Sequence, residues 1–435
     1  MTDFDVVVVG AGRAGTAAAY RLAQENVDVA LVDRARQPGM KNVTGGVLYG
    51  EVLADLVPEF PEEAPLGRHV VEHNVQMLHD DASIGVSYRD PAIREEPNYT
   101  VQLGEFDRWF VRKAEEQGAT FVPETTVRGV EQREGHAVVA TDRDGGDITC
   151  NAVVGADGVN TTVGRTTGIR DPVQPENVGL SVKQVIELDR KTIDERFNLR
   201  SGEGTAYIFA GFPEGAPSVG YFIYTFESTI SVGAVGNMAT LQTYGDQGYD
   251  GQGTPLYDLL TRFKELDAVR PLVRGGVAQE YQGILVPEFG YDDLPNRHEG
   301  RVCLVGDAAG LVLNKGFTFR GLDFGVESGI RAAEAAMQCR KRGNWNAFGE
   351  RYDALLGDSY VMDELRQHSR LPSFLENERL YEAYPAVARE TLKQTFSSEG
   401  DASGLTWKHA LTALRRQDVG VRDLLADGWR AFRSV

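Results

Sequence analysis

The residues best placed to do chemistry cluster at turns, not in acid–base pairs. Gly10-Ala11-Gly12-Arg13-Ala14-Gly15 follows the β-branched run from Asp3 to Val9 and opens onto an alanine-rich, helix-compatible stretch, Thr16 to Leu22. That order predicts a buried parallel strand, a tight turn, and a helix whose N-terminal N–H groups and positive dipole end meet a phosphate. Gly10, Gly12 and Gly15 would permit the turn, close approach of backbone to a pyrophosphate, and close helix–strand packing; Ala11 and Ala14 fill the loop between them. A second strand, Val27 to Val32, ends at Asp33 and Arg34. An acid about 20 residues after such a loop accepts hydrogen bonds from an adenosine ribose, and its charge repels a 2′-phosphate.

Two later stretches have the same form. Ala152-Val153-Val154 runs into Gly155-Ala156-Asp157-Gly158, and Val302 to Val305 delivers Gly306-Asp307-Ala308-Ala309-Gly310. Three loops, each at the end of an apolar run, predict walls of one site held by distant parts of the chain. The Gly-Ala-Asp-Gly stretch resembles that of the glutathione-reductase-type flavoproteins, especially their hydroxylase and quinone-reductase branch. The resemblance implies FAD, with Ala156, Asp157 and Gly158 as its second wall and Asp307, beside Gly306, on the ribityl and pyrophosphate part. A carboxylate can accept from ribityl hydroxyls, and a neighbouring glycine lets the ligand come close. The adenine is expected along Thr126-Val127-Arg128. No second Gly-x-Gly-x-x-Gly occurs; Gly251-Gln252-Gly253 has no strand before it and Pro255 after it, so no separate nicotinamide domain is expected.

Further stretches narrow the family. Lys41-Asn42-Val43-Thr44-Gly45-Gly46-Val47-Leu48-Tyr49, Asn314-Lys315-Gly316-Phe317-Thr318-Phe319-Arg320-Gly321-Leu322-Asp323, Leu371 to Asn377 and Tyr384-Pro385 together resemble the FixC flavoproteins, relatives of electron transfer flavoprotein–quinone oxidoreductase. This implies an FAD oxidoreductase that takes electrons from an electron-transfer flavoprotein (FixAB-like) and passes them towards quinone. A small ferredoxin-like iron–sulfur protein (FixX-like) is the implied partner. The cysteine count agrees independently: a cluster needs about four thiolates, and this chain has 3 cysteines. Gly45 and Gly46 are expected close to the flavin ring. The Gly316–Gly321 loop, with Arg320 or Lys315, is expected near N1 and the C2 carbonyl, where reduction places negative charge. One departure stands out. Related flavoproteins usually carry a cofactor-binding arginine just before the position of Phe106-Asp107; here that position is Leu103, with Gln102 or Arg108 as substitutes. The rival readings are a geranylgeranyl-reductase-like enzyme acting on isoprenoid double bonds, and an electron-transfer subunit active only in a complex.

Composition sets the frame. The 435 residues carry 64 acidic against 45 basic groups, a formal net charge of −19, which argues against a nucleic-acid partner. The basic residues are mostly Arg, a composition a salt-rich cytoplasm favours, since high salt screens the repulsion. Neither a leader segment nor an apolar run of membrane-spanning length is expected, so the chain reads as cytoplasmic with at most peripheral membrane contact. The fold class predicted is α/β: a glutathione-reductase-type, Rossmann-like FAD domain with an antiparallel-sheet second domain and a helical C-terminal region. Expected boundaries are 1–75, 100–170 and 298–345 for the FAD domain, 76–99 and 171–297 for the second, and 346–435 for the helices. Tyr207, Phe209, Tyr221, Phe222 and Tyr224 alternate on strands of the second domain, as core or as an apolar groove. The seven histidines show no metal-ligand spacing, and no catalytic acid–base residue is expected.

Overall fold

The computed structural model describes residues 2–40, 45–211, 219–246, 255–397 and 406–434. Lys41 to Thr44 and Gly251 to Gly253 of the sequence reading lie outside them.

Two sheets organise the chain. The first runs in the order His298–Glu299, Val302–Leu304, Ile148–Gly155, Phe4–Val9, Val29–Val32, Thr120–Val122. All neighbours pair in parallel except the first two. Val6, Val7 and Val8 have no solvent exposure, as strands covered on both faces must; burying each contributes about 1.5–3 kcal/mol. The covering helices are Arg13–Gln24 and Leu322–Arg342. They pack so closely that a Cβ on Gly329 would overlap the carbonyl oxygen of Ala14. Val127–Arg133 and His136–Thr141 extend Ile148–Gly155 as an antiparallel meander.

The second sheet is ordered Val277–Pro287, Val178–Glu187, Thr229–Asn237, Val219–Thr225, Glu203–Ala210, Leu66–His79, Asn98–Val101, Val47–Tyr49. With Ala82–Tyr88, which pairs antiparallel with Leu66–His79 off this path, it takes four strands from before residue 102, so the chain crosses between the sheets early as well as late. Most pairs are antiparallel, but Glu203–Ala210 runs parallel to Leu66–His79. That pairing makes the sheet mixed where a purely antiparallel one is the sequence expectation, because register between distant strands leaves no local signal.

The alternating aromatics divide between the two faces of this sheet. Phe209 and Tyr221 pack on Phe263 of the helix Pro255–Glu265, with ring centroids 5.0 and 4.4 Å apart, and Tyr207 packs against the same core. Phe222 and Tyr224 stack on the opposite face at 4.9 Å. The C-terminal helices follow, ending with Thr406–Arg416 and Val421–Ser434. Among the described residues, no helix is long and apolar enough to cross a membrane.

Candidate functional site

Strand register brings the three predicted walls together. Val9 pairs with both Val32 and Gly155, and Gly155 pairs with Leu304. The carboxyl ends of four parallel strands are therefore level, and their loops open on one crevice, where open α/β sheets bind ligands. A cleft of about 740 Å³ lies there, within the range of cofactor sites. Of the residues singled out in the sequence, Gly10, Ala11, Gly12, Ala14, Asp33, Arg34, Val127, Ala156, Asp157, Gly158, Gly306, Asp307 and Gly321 line it. Gly15, Gly45, Gly46, Gly316 and Arg320 do not.

Each wall has a local cause. Gly12 caps the helix Arg13–Gln24, no side chain caps that end, and its first turn holds no acid. The leading N–H groups of a helix have no partner within it, so here they are available to an anion. Asp33 closes the loop: its Oδ2 accepts from Ala11 N at 2.9 Å and its Oδ1 from Ala35 N at 2.7 Å. Asp157 has a similar tying role. It accepts from Thr161 Oγ1 at 2.6 Å, Thr162 N at 2.6 Å and Val163 N at 3.0 Å, which shapes the Gly158 loop. Asp307 differs, since among the described residues no hydrogen bond reaches its carboxyl. Burial pushes that carboxyl above the usual range, against the pull of Arg13 and Arg170. Gly306 N donates to Ser328 Oγ at 2.9 Å, which fixes the third wall to the helix Leu322–Arg342.

The remaining positions contact neighbouring parts of the fold. Gly15 packs on the carbonyl of Gly10, Gly45 on that of Val101, and Gly316 on Leu375. Arg320 forks onto Asp323 through Nε at 2.8 Å and through Nη2, and lies 4.6 Å over the ring of Tyr49. Lys315 pairs with Glu364 at 2.7 Å. Both cations nominated beside the Gly316–Gly321 loop are thus matched by carboxylates, and only Gly321 of that loop reaches the cleft.

The stretch around Leu103 supplies no cation to the cleft among the described residues. Leu103 is buried core, Gln102 donates to Thr229 Oγ1 at 3.3 Å, and neither these two nor Arg108 lines the cleft. Arg13 does, and its Nη1 is held by Asp107 at 3.1 Å. The cation therefore sits inside the glycine loop, anchored by the aspartate of Phe106-Asp107. Arg165 is a second lining cation. An arginine in a variable position of a glycine loop was the available signal for the first. Replacing Arg13 with Met is expected to weaken FAD binding by about 10- to 150-fold, the loss of one charge-assisted hydrogen bond of about 1.5–3 kcal/mol. Flavin retained after gel filtration and a fluorescence titration check this.

These residues fit FAD. There is an uncapped helix end and two lining cations, Arg13 and Arg165, for the pyrophosphate, an acid at the ribose position, and a lining carboxylate, Asp307, that no hydrogen bond reaches among the described residues. The fold and cleft define an FAD-dependent oxidoreductase. Residues 3–192 match the FAD binding domain family, and residues 371–435 match the ETF-QO/FixC family C-terminal domain. The chain is 34% identical over 429 residues to protein FixC of Salmonella typhi, covering 98% of this chain and 97% of the relative. It is 33% identical over 435 residues to the probable electron transfer flavoprotein-quinone oxidoreductase YdiS of Escherichia coli K12, covering 99% of each. It belongs to the FixC family. Among solved structures, a geranylgeranyl bacteriochlorophyll reductase-like protein of Thermoplasma acidophilum superposes with a TM-score of 0.72 at 16% identity, covering 95% of this chain and 96% of that one. The halogenase PltM with phloroglucinol and FAD gives 0.65 at 15%, covering 94% and 85%. These two likenesses are of fold.

Bound FAD supplies the electron transfer at its isoalloxazine. The residues at the three glycine loops would hold its phosphates and ribityl chain, and the second sheet would border it, since its strand Val277–Pro287 contributes Gln282 to Leu285 to the cleft.

Proposed function

We propose that this chain accepts electrons from an electron-transfer flavoprotein and passes them towards quinone at a membrane surface, with a small ferredoxin-like iron–sulfur partner. The reading is supported by near-full-length similarity to FixC proteins and to a probable quinone oxidoreductase. The observation that carries its membrane side is the last helix. Val421, Leu425, Trp429 and Phe432 recur at helical spacing, and they are 65%, 69%, 59% and 76% exposed. The opposite side docks through Asp427, which is 4% exposed and accepts from Arg379 at 2.7 and 2.9 Å. Residues 406–434 carry six basic residues against three acidic in a chain of net charge −19. An apolar stripe with a basic surround suits an interface rich in anionic lipid.

The membrane side is tested with vesicles of phosphatidylcholine, with and without an anionic phospholipid. Sedimentation should carry the wild-type protein down with anionic vesicles, and Leu425→Glu/Trp429→Glu should bind at least tenfold more weakly, since each apolar side chain lost is worth about 1.5–3 kcal/mol. Equal binding by the two would overturn it. The electron route is tested anaerobically, by offering reduced electron-transfer flavoprotein and a quinone analogue. Quinone reduction that needs the iron–sulfur partner supports the relay. Saturation of a geranylgeranyl lipid, with no response to the flavoprotein donor, would replace it.

A further inference from the structure

Lys183 lies midway along the strand Val178–Glu187 and pairs across the sheet with Gln282, a residue that lines the cleft. Directly paired side chains share a sheet face, so the lysine lies on the face of Gln282, next to the cleft lining rather than in it. Its ammonium stands 5.6 Å from the centroid of the Phe222 ring and donates to the carbonyl oxygen of Gly45 at 3.3 Å. Gly46, the next residue, faces the ring of Tyr224. The charged group that acts on Lys183 is Arg13, of like sign and held on Asp107. Tyr224, on the strand Val219–Thr225, and Tyr49, on the strand Val47–Tyr49, are kept neutral by burial.

An ammonium has three donors, and among the described residues Gly45 O is the one acceptor and no carboxylate pairs with it. A half-buried charge left like this is costly, and proteins normally pair or neutralise it. Arg320 and Lys315 both have carboxylates. Among the described residues, none supplies Lys183 with a counter-charge.

We propose that Lys183 is the charge-compensating group of the flavin site, holding a proton against the negative charge that reduction places on the bound isoalloxazine. An external donor delivers two electrons, and the isoalloxazine takes one proton from solvent and keeps one net negative charge. Lys183 either already holds its proton or takes one from solvent. This rests on the FAD site and not on which donor or acceptor the protein serves.

Burial, with Arg13 adding to it, pushes Lys183 down to about 8. A negative charge brought beside it raises it again. Above that pH, reduction then draws in one proton more than below it. Wild-type holoprotein, titrated reductively against reference dyes from about pH 7 to about pH 10, should show an added tenfold change in the reduction equilibrium per pH unit above the break, about 30 mV for two electrons. Lys183→Met should lose the break and disfavour reduction at least tenfold at neutral pH. Lys183→Arg should keep the neutral-pH value but lose the break. A Met variant with wild-type potentials at every pH would overturn the proposal. Should that variant lose flavin, the nitrogen-15 resonance of Lys183 in the wild-type holoprotein decides instead. A titration midpoint that fails to rise on reduction overturns the assignment.

The apoprotein gives a readout without the cofactor. Its lysine has a folded pKa below the unfolded value of about 10.4, so the unfolded chain binds more protons between those values. Wild-type stability should therefore rise as pH climbs through that window. The Met variant should lose the rise, and a rise kept in full would refute the assignment to Lys183.

Discussion

Asp307→Ala is expected to yield a folded protein that emerges from purification without stoichiometric FAD. The carboxyl has no partner among the described residues. What ties its loop down is the backbone, through Arg170 Nη1 to the carbonyl oxygens of Asp307 and Ala308 at 3.3 and 2.7 Å. Alanine keeps both bonds, so the apoprotein should melt close to wild type. What it loses is an acceptor that lines the cleft. Hydrogen bonds to a charged group contribute about 1.5–3 kcal/mol each, so one lost bond weakens binding by about 10- to 150-fold and two by the product. Asn should fall between the two, since it keeps one acceptor oxygen. Because burial raises this carboxyl, acid should protonate it above the usual carboxylate range. Wild type should shed flavin at a correspondingly higher pH than ordinary carboxylates predict, whereas Asp307→Asn should lack that transition. Absorbance of bound flavin after desalting checks both; full retention by the Ala variant would remove Asp307 from the site.

Gly10→Ala should be the more damaging change to the fold. Gly10 has φ +107°, and a Cβ there would overlap the carbonyl oxygen of Ala156. The backbone strain alone costs about 1–3 kcal/mol, and the overlap adds to it, because the obstructing atom is backbone and cannot swing aside. The first and second walls would have to part, opening the crevice and loosening the bond from Ala156 N to Val9 O, now 2.8 Å. The expected result is a lower melting temperature together with loss of FAD. Addition of excess FAD should not restore a wild-type melt, which separates this variant from Asp307→Ala. A Gly10→Ala protein that melts and binds like wild type would show that the two loops need not touch.

The parts of the site that could be read in the sequence are those set by short-range rules. A β-branched run, a glycine turn and an alanine-rich helix declare themselves locally, and so does Asp33 at the end of the second strand. Repetition of that grammar at Gly155 and Gly306 led to the convergence that strand register then brings about. What stayed hidden depends on pairing between distant strands. Nothing local marks Glu203–Ala210 as running parallel to Leu66–His79. Lys183 reads as one polar residue in a β-rich stretch until its strand is set against Gln282. Arg13 was visible as a letter but not as a cation, because its anchor, Asp107, lies 94 residues away. Arg320 and Lys315 show the complementary case. Each has the right charge in a telling loop, yet each is matched by an acid that only folding brings near.

The cleft closes only with Asp307, Gly321 and Gly325, far along the chain from the glycine loop, Gly10 to Gly15, that begins it. A ribosome has therefore synthesised about three-quarters of the protein before a complete receptacle for flavin can exist. Loading must come late, and a cell short of riboflavin would accumulate full-length but empty chains, with the edges of both sheets' crevice open to proteolysis, not prematurely stalled ones.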